Sequence, residues 1–364
     1  MDRKLTIAAA QLGEVPDEFT KGICAKEINA ALLAGSKGER RQAEKLLEEI
    51  EVDKIRKYCV GRMTRLMKEA SDCGCDLIVF PELALTSFFP YFYIEAEQTL
   101  LRFFEKGRIE LGIAKPLFDH AQRLEISFSF GYAECTIDAN YHNTCKRYNT
   151  YILIDKKGTI YKYRKTHIPG FEKPRSGEDT FQFERGQFHS SQEGYPVFDT
   201  RILEKGDEAL NVKVGMIICH DRRYNAPYLI MGMQKVDIIL NGYNTPFSLP
   251  FAKVLDEYAY KFHYLPLQAQ AITEGTFIIS VARAGSVFGI NQIAGTCIID
   301  PNGNLLEKTE LLAEELIRVE LDLNICETVR AQKYWGGRLE PQVILRELIK
   351  LTGTNFTENK ALNC

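Results

Sequence analysis

The chain has 364 residues, of which 45% are hydrophobic and 26% charged, as in an ordinary globular protein that can bury a sizeable core. Its 46 Lys and Arg residues nearly balance 49 Asp and Glu residues, so a net charge of −3 offers no basic field for nucleic acid or an anionic membrane. No long apolar run or signal peptide is recognisable. We therefore expect a cytoplasmic protein without a membrane span.

Strands and helices are predicted to alternate along the chain. Helices are expected over about 54–72, where apolar residues recur at helical spacing, and over about 113–125, 225–234 and 250–274. Apolar runs bounded by turn residues predict the strands 5–11, 77–80, 126–134, 150–154, 159–163, 212–218, 238–240, 276–281, 296–299 and 316–321. This alternation, with hairpins between, favours a layered α/β architecture.

One segment, from about 17 to 52, departs from the alternation. It is dense in charge (GERRQAEKLLEEIE), and a Gly- and Ser-containing stretch at 34–38 breaks it. We interpret it as a solvated helical insertion in a single domain that spans 1–350. Residues 351–364 are expected to be a loose polar tail.

The ten cysteines are expected to be reduced and mostly buried, because several lie inside apolar strand-like runs. Cys73 and Cys75 form a C-x-C pair, but no matching Cys or His pair stands at zinc-ligand spacing. We expect no metal site and no cofactor.

Three predicted strands end in residues that can do chemistry, namely Glu82, Lys165 and Cys219. Functional sites of α/β sheets lie beyond the carboxyl ends of strands, so the three side chains could meet. A carboxylate can take the proton of a thiol as general base. A neighbouring ammonium lowers the cost of the thiolate and stabilises the oxyanion that forms when a carbonyl is attacked.

Each of these residues alone has an ordinary explanation. A Cys that closes an apolar strand is usually a packed thiol, Glu82 could be a surface acid, and Lys165 lies in a basic run. Spacing alone does not show that the three side chains meet.

The sequence segments around the three residues resemble those of a known family. The segments DLIVFPEL at 76–83, YRKTHIPG at 163–170 and GMIICHDRR at 215–223 resemble, in this order, the signature segments of the nitrilase superfamily. The resemblance implies a four-layer α-β-β-α sandwich and a homo-oligomer, a dimer or tetramer that pairs through outer helical faces. It also implies that Glu82 is the general base, Lys165 the oxyanion-stabilising cation and Cys219 the nucleophile.

Within the superfamily, the sequence is most similar to the N-carbamoyl-D-amino-acid amidohydrolases. The segments that carry this likeness are FPELALTSFFP at 80–90, DRR at 221–223, GYNTP at 242–246 and R-x-E-P-Q at 338–342. The implied reaction removes the carbamoyl group of an N-carbamoyl amino acid, which yields amino acid, carbon dioxide and ammonia. The family's second glutamate, which supports the lysine, corresponds to Glu184 in FQFERGQF.

A carboxylate-bearing small molecule is the expected substrate, and burying its carboxylate requires paired donors. The resemblance assigns this task to Arg222 and Arg223, with Thr245 and its neighbour Asn244 assisting, and His167 is a further binding candidate. Alternatively, Arg223 is a structural ion-pair partner of Asp221 or Glu82.

Departures from the branch concern the surroundings of the site. His220 stands where the branch usually has Asn, Gln182 where it has His, and Tyr224 where it has Trp. Another carbon–nitrogen hydrolase activity therefore stays open, as an amidase, a β-ureidopropionase-like enzyme or a nitrilase. A catalytically silent scaffold would be marked by loss of Glu82, Lys165 or Cys219, and all three are present.

Overall fold

The computed structural model describes residues 3–138, 144–174, 182–205, 208–247, 257–332 and 340–352. Its strands are β1 (Lys4–Gln11), β2 (Leu77–Val79), β3 (Glu105–Lys106), β4 (Ser127–Asp138), β5 (Thr144–Ile154), β6 (Ile160–Arg164), β7 (Val197–Lys205), β8 (Glu208–Ile218), β9 (Ile238–Tyr243), β10 (Phe277–Ala282), β11 (Ser286–Val287), β12 (Ile290–Asn291), β13 (Cys297–Ile299), β14 (Leu305–Lys308) and β15 (Glu315–Asp322). Its helices are α1 (Asp17–Thr20), α2 (Ala25–Ala34), α3 (Lys37–Glu49), α4 (Val52–Asp72), α5 (Glu97–Leu101), α6 (Lys115–Leu124), α7 (Glu184–Gln187), α8 (Ala226–Met233), α9 (Ala259–Glu274), α10 (Asn324–Gln332) and α11 (Pro341–Thr352).

Two sheets form the centre of the fold. The first has the strand order β15-β1-β2-β4-β5-β6, with β3 paired to β4, and the second has the order β14-β13-β10-β9-β8-β7. Strands β1, β2 and β4 run parallel to one another, as do β8, β9 and β10. The three-residue strand β2 is buried throughout, as expected of a parallel strand covered on both faces.

Successive side chains of a strand point to opposite faces of its sheet, so each sheet can pack against the other sheet on one face and against helices on the other. The result is a four-layer arrangement. One face of each sheet enters a shared core that joins residues such as Leu77 and Val79 of the first sheet to Val214 and Leu240 of the second. The opposite face of the first sheet packs under α4 and α6, and that of the second packs under α8 and α9. The α-β-β-α sandwich expected from the sequence is confirmed.

The segment 17–52 forms helices α1, α2 and α3, and α3 begins with a capping box between Ser36 and Glu39. These helices are not wholly solvated, because Ile28, Ala43 and Leu47 are buried in a cluster with the aromatic loop at 88–92. Asn29 binds that loop through the carbonyl of Tyr91 at 2.8 Å. The segment therefore braces the loop that follows β2.

Several sequence expectations need correction or fall outside the described residues. The expectation of reduced thiols is wrong for Cys135 and Cys145, which form a disulfide between neighbouring strands β4 and β5. Their proximity depends on strand register, which spacing in the sequence does not reveal. Residues 250–256 of a predicted helix, Arg338 of the late motif and most of the expected tail lie outside the described residues. No helix in the described part of the chain is long and apolar enough to cross a bilayer.

One glycine from each sheet lies against Glu82, the residue that follows Pro81. A Cβ atom added to Gly131 would lie 2.8 Å from the Cα of Glu82, and one added to Gly242 would lie 2.6 Å from its backbone nitrogen. The Gly242 position also touches the ring of Tyr151. Glycine at these two positions therefore allows a strand of each sheet, β4 and β9, to pack closely against Glu82.

This close packing predicts the effect of a single methyl group. Gly242→Ala should lower the free energy of unfolding by about 1–3 kcal/mol, because the added methyl overlaps fixed backbone atoms. Gly61→Ala is the matched control, since nothing lies within 4 Å of its added Cβ. That change in a helix should raise stability by about 0.5–1 kcal/mol. Urea unfolding measures both, and equal stability of the two variants would contradict the prediction.

Candidate active site

Glu82 is fully buried directly after β2, and both of its carboxylate oxygens are bonded. Oε1 accepts hydrogen bonds from Asn149 Nδ2 at 2.7 Å and from Lys165 Nζ at 3.0 Å. Oε2 accepts from the backbone N–H and the side-chain amide of Asn244, at 2.9 and 3.0 Å. Four donors from three chain segments therefore hold this carboxylate in one orientation.

Lys165 follows the end of β6 and is fully buried between two carboxylates. Its Nζ lies 3.0 Å from Glu82 Oε1 and 2.5 Å from Glu184 Oε2. Burial alone would lower the pKa of Lys165, but Glu184 and Glu82 together raise it above its ordinary value. Burial raises the pKa of Glu184 to about 7, against the opposing charge of Lys165. The two carboxylates therefore favour the charged ammonium form of Lys165.

Cys219 follows β8 and opens a short 3₁₀ helix over residues 219–223. Its φ of 48° lies in the left-handed region, which is strained for a residue with a Cβ. The backbone N–H donates to Asn241 Oδ1 at 3.1 Å, and Sγ donates to the carbonyl of Asn244 at 3.1 Å. Because Asn244 also bonds Glu82, one residue links the thiol to the carboxylate.

The pKa of Cys219 is raised, whereas the sequence analysis expected a neighbouring ammonium to favour the thiolate. Lys165 does favour the thiolate, but burial and the charge of Glu82 outweigh it and raise the pKa of Cys219 to about 12. At neutral pH the group is therefore a thiol. Chemistry at this sulfur requires a base that takes the proton during attack. Glu82 is the candidate for this base, because its charge acts on the sulfur and Asn244 contacts both groups.

The structure brings Glu82, Lys165, Glu184 and Cys219 into this one buried region, whereas His167 has different partners. His167 contacts Asp221 through its backbone N–H and through Nδ1, at 2.8 and 3.0 Å. Its ring stacks on Tyr224 with centroids 4.1 Å apart. Asp221 also accepts from Tyr163 and from the backbone N–H of Ile218. His167 thus helps to fix the turn that carries Cys219.

A cavity of about 390 Å³ opens beside the sulfur. Its walls include Pro169, Gln182, Cys219, His220, Arg222, Arg223, Asn244, Thr245, Pro246, Ala259 and Phe262. Buried Arg222 donates to the carbonyl of Cys219 and to Thr245 Oγ1, both at 2.7 Å. Arg223 donates to the carbonyl of Phe262 at 2.5 Å. The predicted carboxylate-binding set, apart from His167, therefore lines one cavity.

The two arginines lack acidic partners in the described part of the chain, so Arg223 does not pair with Asp221 or Glu82. The side chain of Arg223 is exposed, and the charge of Arg222 lowers its pKa. The buried Nε of Arg222 has no hydrogen-bond partner among the described residues. Such a pair of like charges is suited to an anionic ligand.

Sequence reasoning missed three polar residues that support the site. Asn149 orients Glu82, and its own buried Oδ1 lacks a described partner. Asn241 holds the backbone of Cys219. Buried Arg283 donates to carbonyls of the loop after Glu82, including that of Thr86 at 2.8 Å. The signal available for Asn149 and Asn241 was a polar residue within or beside an apolar strand run.

The comparisons with known proteins agree with this fold. The sequence profile of the carbon–nitrogen hydrolase family matches residues 52–331, so the chain belongs to that family and is a hydrolase of carbon–nitrogen bonds. A nitrilase of Pyrococcus abyssi is 26% identical over 271 residues, which cover 74% of this chain and 86% of that protein. A deaminated glutathione amidase of Dictyostelium discoideum is 27% identical over 191 residues, or 50% of this chain and 56% of that protein.

Solved structures show the same fold at lower identity. The carbon–nitrogen hydrolase of Helicobacter pylori superposes with a TM-score of 0.69 at 18% identity, covering 96% of this chain and 99% of that chain. An amidase of the nitrilase superfamily from Nesterenkonia gives a TM-score of 0.57 at 14% identity, over 90% and 95% of the two chains.

The described residues contain no group of three or more His, Cys, Asp or Glu that could hold a metal ion.

His220 generates a prediction about pH. Burial, with the charges of Lys165, Arg222 and Arg223, lowers the pKa of His220 from 6.5 to about 4. Between these values the unfolded chain binds a proton at His220 that the folded chain does not, so stability falls as pH falls. His220→Asn should remove this contribution and leave the variant less acid-sensitive. Thermal unfolding from pH 7 to pH 4 measures it, and parallel curves for the two proteins would refute it.

Proposed function

We propose that the chain is a cysteine-dependent amidohydrolase that removes the carbamoyl group of N-carbamoyl amino acids, those of the D series in particular. The observation that carries the proposal is the arginine pair beside the sulfur. Arg222 and Arg223 share a cavity with Cys219, and neither forms an ion pair with a described carboxylate. A substrate carboxylate supplies the missing negative charge and places the rest of the substrate against the thiol.

The proposed chemistry begins with attack of Cys219 Sγ on the carbamoyl carbon, while Glu82 takes the thiol proton. The carbonyl oxygen becomes an oxyanion that the Lys165 ammonium stabilises. Collapse of this intermediate breaks the bond to the terminal nitrogen, and Glu82 returns the proton so that ammonia leaves. The substrate is then attached to Cys219 as a thiocarbamate.

Water completes the reaction with the same groups. Glu82 takes a proton from water, whose oxygen attacks the thiocarbamate carbon, and the bond to sulfur breaks. The thiol regains its proton, and the released carbamate decomposes to carbon dioxide and the amino acid. Glu184 fixes the Lys165 ammonium at 2.5 Å throughout, supported by Gln182, which donates to its other oxygen at 3.1 Å.

An amidase acting on a carboxylate-bearing amide is the second candidate. The likeness to amidases among curated proteins and solved structures favours it, and the same three groups would perform it. The two candidates differ in their products, because only the carbamoyl substrate releases carbon dioxide as well as ammonia.

Self-association is also part of the proposal. Helices α8 and α9 expose Ile230, Met233, Phe262, Leu265 and Ile272 on the outer layer. Exposed apolar side chains on outer helices are typical of contact surfaces, and a second copy of the chain fits the expected dimer or tetramer. Light scattering after size exclusion would detect a mass of one chain if this part of the proposal is wrong.

Ammonia and carbon dioxide release from matched N-carbamoyl-D- and N-carbamoyl-L-amino acids tests the activity. We expect turnover of the D series and a loss on the order of 10⁴-fold or more in Cys219→Ala, because that variant lacks the nucleophile. Arg222→Gln should lower kcat/KM about a hundredfold, since the substrate carboxylate loses its partner.

Neutral carbamoyl compounds and simple amides are the controls for Arg222→Gln, and their slow turnover should change little. Ammonia release from amides alone, without carbon dioxide from any carbamoyl substrate, would overturn the carbamoyl assignment in favour of the amidase. Unchanged activity of Cys219→Ala would reject the cysteine mechanism as a whole.

A further inference from the structure

Helix α9 contains a proline in its interior, Pro266, beside the candidate site. Proline has no backbone N–H, so it cannot donate to the carbonyl four residues earlier in the helix. That carbonyl belongs to Phe262. In this structure it accepts a hydrogen bond from Arg223 Nη1 at 2.5 Å. The proline therefore leaves a main-chain acceptor of the helix available to the arginine.

The acceptor matters because it is neutral. An acidic partner would hold Arg223 equally firmly, but it would cancel the positive charge that a substrate carboxylate needs. A carbonyl holds the guanidinium, whose charge has no acidic partner among the described residues. Arg223 and Phe262 both line the cavity beside Cys219, so the arginine is held at the site itself.

The same helix also supports Arg222, through the ring of Tyr243. The guanidinium carbon of Arg222 lies 4.4 Å from the centre of the Tyr243 ring, an arrangement that stabilises a cation without neutralising it. Tyr243 is fixed in turn by α9, because its hydroxyl lies 3.0 Å from Nε2 of buried His263. The same hydroxyl also donates to the carbonyl of Ala294, outside this helix, at 2.6 Å. Successive residues of α9, Phe262 and His263, thus position the two cations.

We propose that Pro266 is a positioning residue for recognition of the substrate carboxylate. By freeing the Phe262 carbonyl, it fixes Arg223 next to Arg222 as a cation held by a neutral partner. The proposal rests on the proposed function, since it assumes a carboxylate-bearing substrate of the hydrolase.

Pro266→Ala tests the proposal through two effects of opposite direction. The restored N–H competes with Arg223 for the Phe262 carbonyl and also completes the helix. We therefore expect Tm to rise while KM for the carboxylate-bearing substrate rises about tenfold, with kcat and the turnover of a neutral amide nearly unchanged. A proline with a purely structural role would change Tm without this split between KM and kcat.

Gln270→Ala is the matched control, because it raises helix propensity in the same helix without restoring a donor to Phe262. It should leave KM unchanged. Arg222→Gln tests the proposed function separately from the role of Pro266. If Arg222→Gln changes kcat/KM for charged and neutral substrates by the same factor, the proposed function itself fails. If Arg222→Gln lowers kcat/KM for the charged substrate only, and Pro266→Ala has the KM of wild type, only the inference about Pro266 is overturned.

Discussion

The structure of the site depends on one buried ammonium held between two carboxylates. Lys165 is fully enclosed with Glu82 and Glu184, and an unpaired charge at this depth would cost several kcal/mol. Each carboxylate is therefore bonded further, Glu82 by Asn149 and Asn244 and Glu184 by Gln182. These bonds connect the two sheets through the site, which explains why so many of its polar residues come from different strands.

Burial at this depth has a consequence for the sulfur. The neighbouring ammonium does not suffice to ionise Cys219, because desolvation and the Glu82 carboxylate oppose it. In the proposed mechanism, Cys219 is therefore not stored as a thiolate. Its proton is transferred during attack, which requires a carboxylate whose position is already fixed. The four donors to Glu82, and the glycines that let both sheets approach it, supply that fixed position.

The residue patterns predicted a layered α/β fold, and the resemblance to the nitrilase superfamily implied the four-layer sandwich and a shared site for Glu82, Lys165 and Cys219, because strand ends and local motifs carry that information. The sequence did not predict contacts that depend on register or on distant packing. The pairing of Cys135 with Cys145 needs the β4–β5 register, and the support of Glu82 by Asn149 needs the position of a side chain in a neighbouring strand. The segment 17–52 shows the same limit: its charge pattern indicated helices, but its few apolar residues meet aromatic residues far along the chain.

The two halves of the site follow opposite electrostatic rules. Around Lys165, each carboxylate contacts the same ammonium and accepts further hydrogen bonds, so that half of the site is fixed by its own ion pairs. Around Arg222 and Arg223, the partners are main-chain carbonyls, a hydroxyl and an aromatic ring, which hold the guanidinium groups without cancelling their charge. Neutral partners keep a binding site selective for anions, whereas an acidic partner would compete with the ligand. The proline in α9 belongs to this second half, since it provides one of those neutral partners through the Phe262 carbonyl.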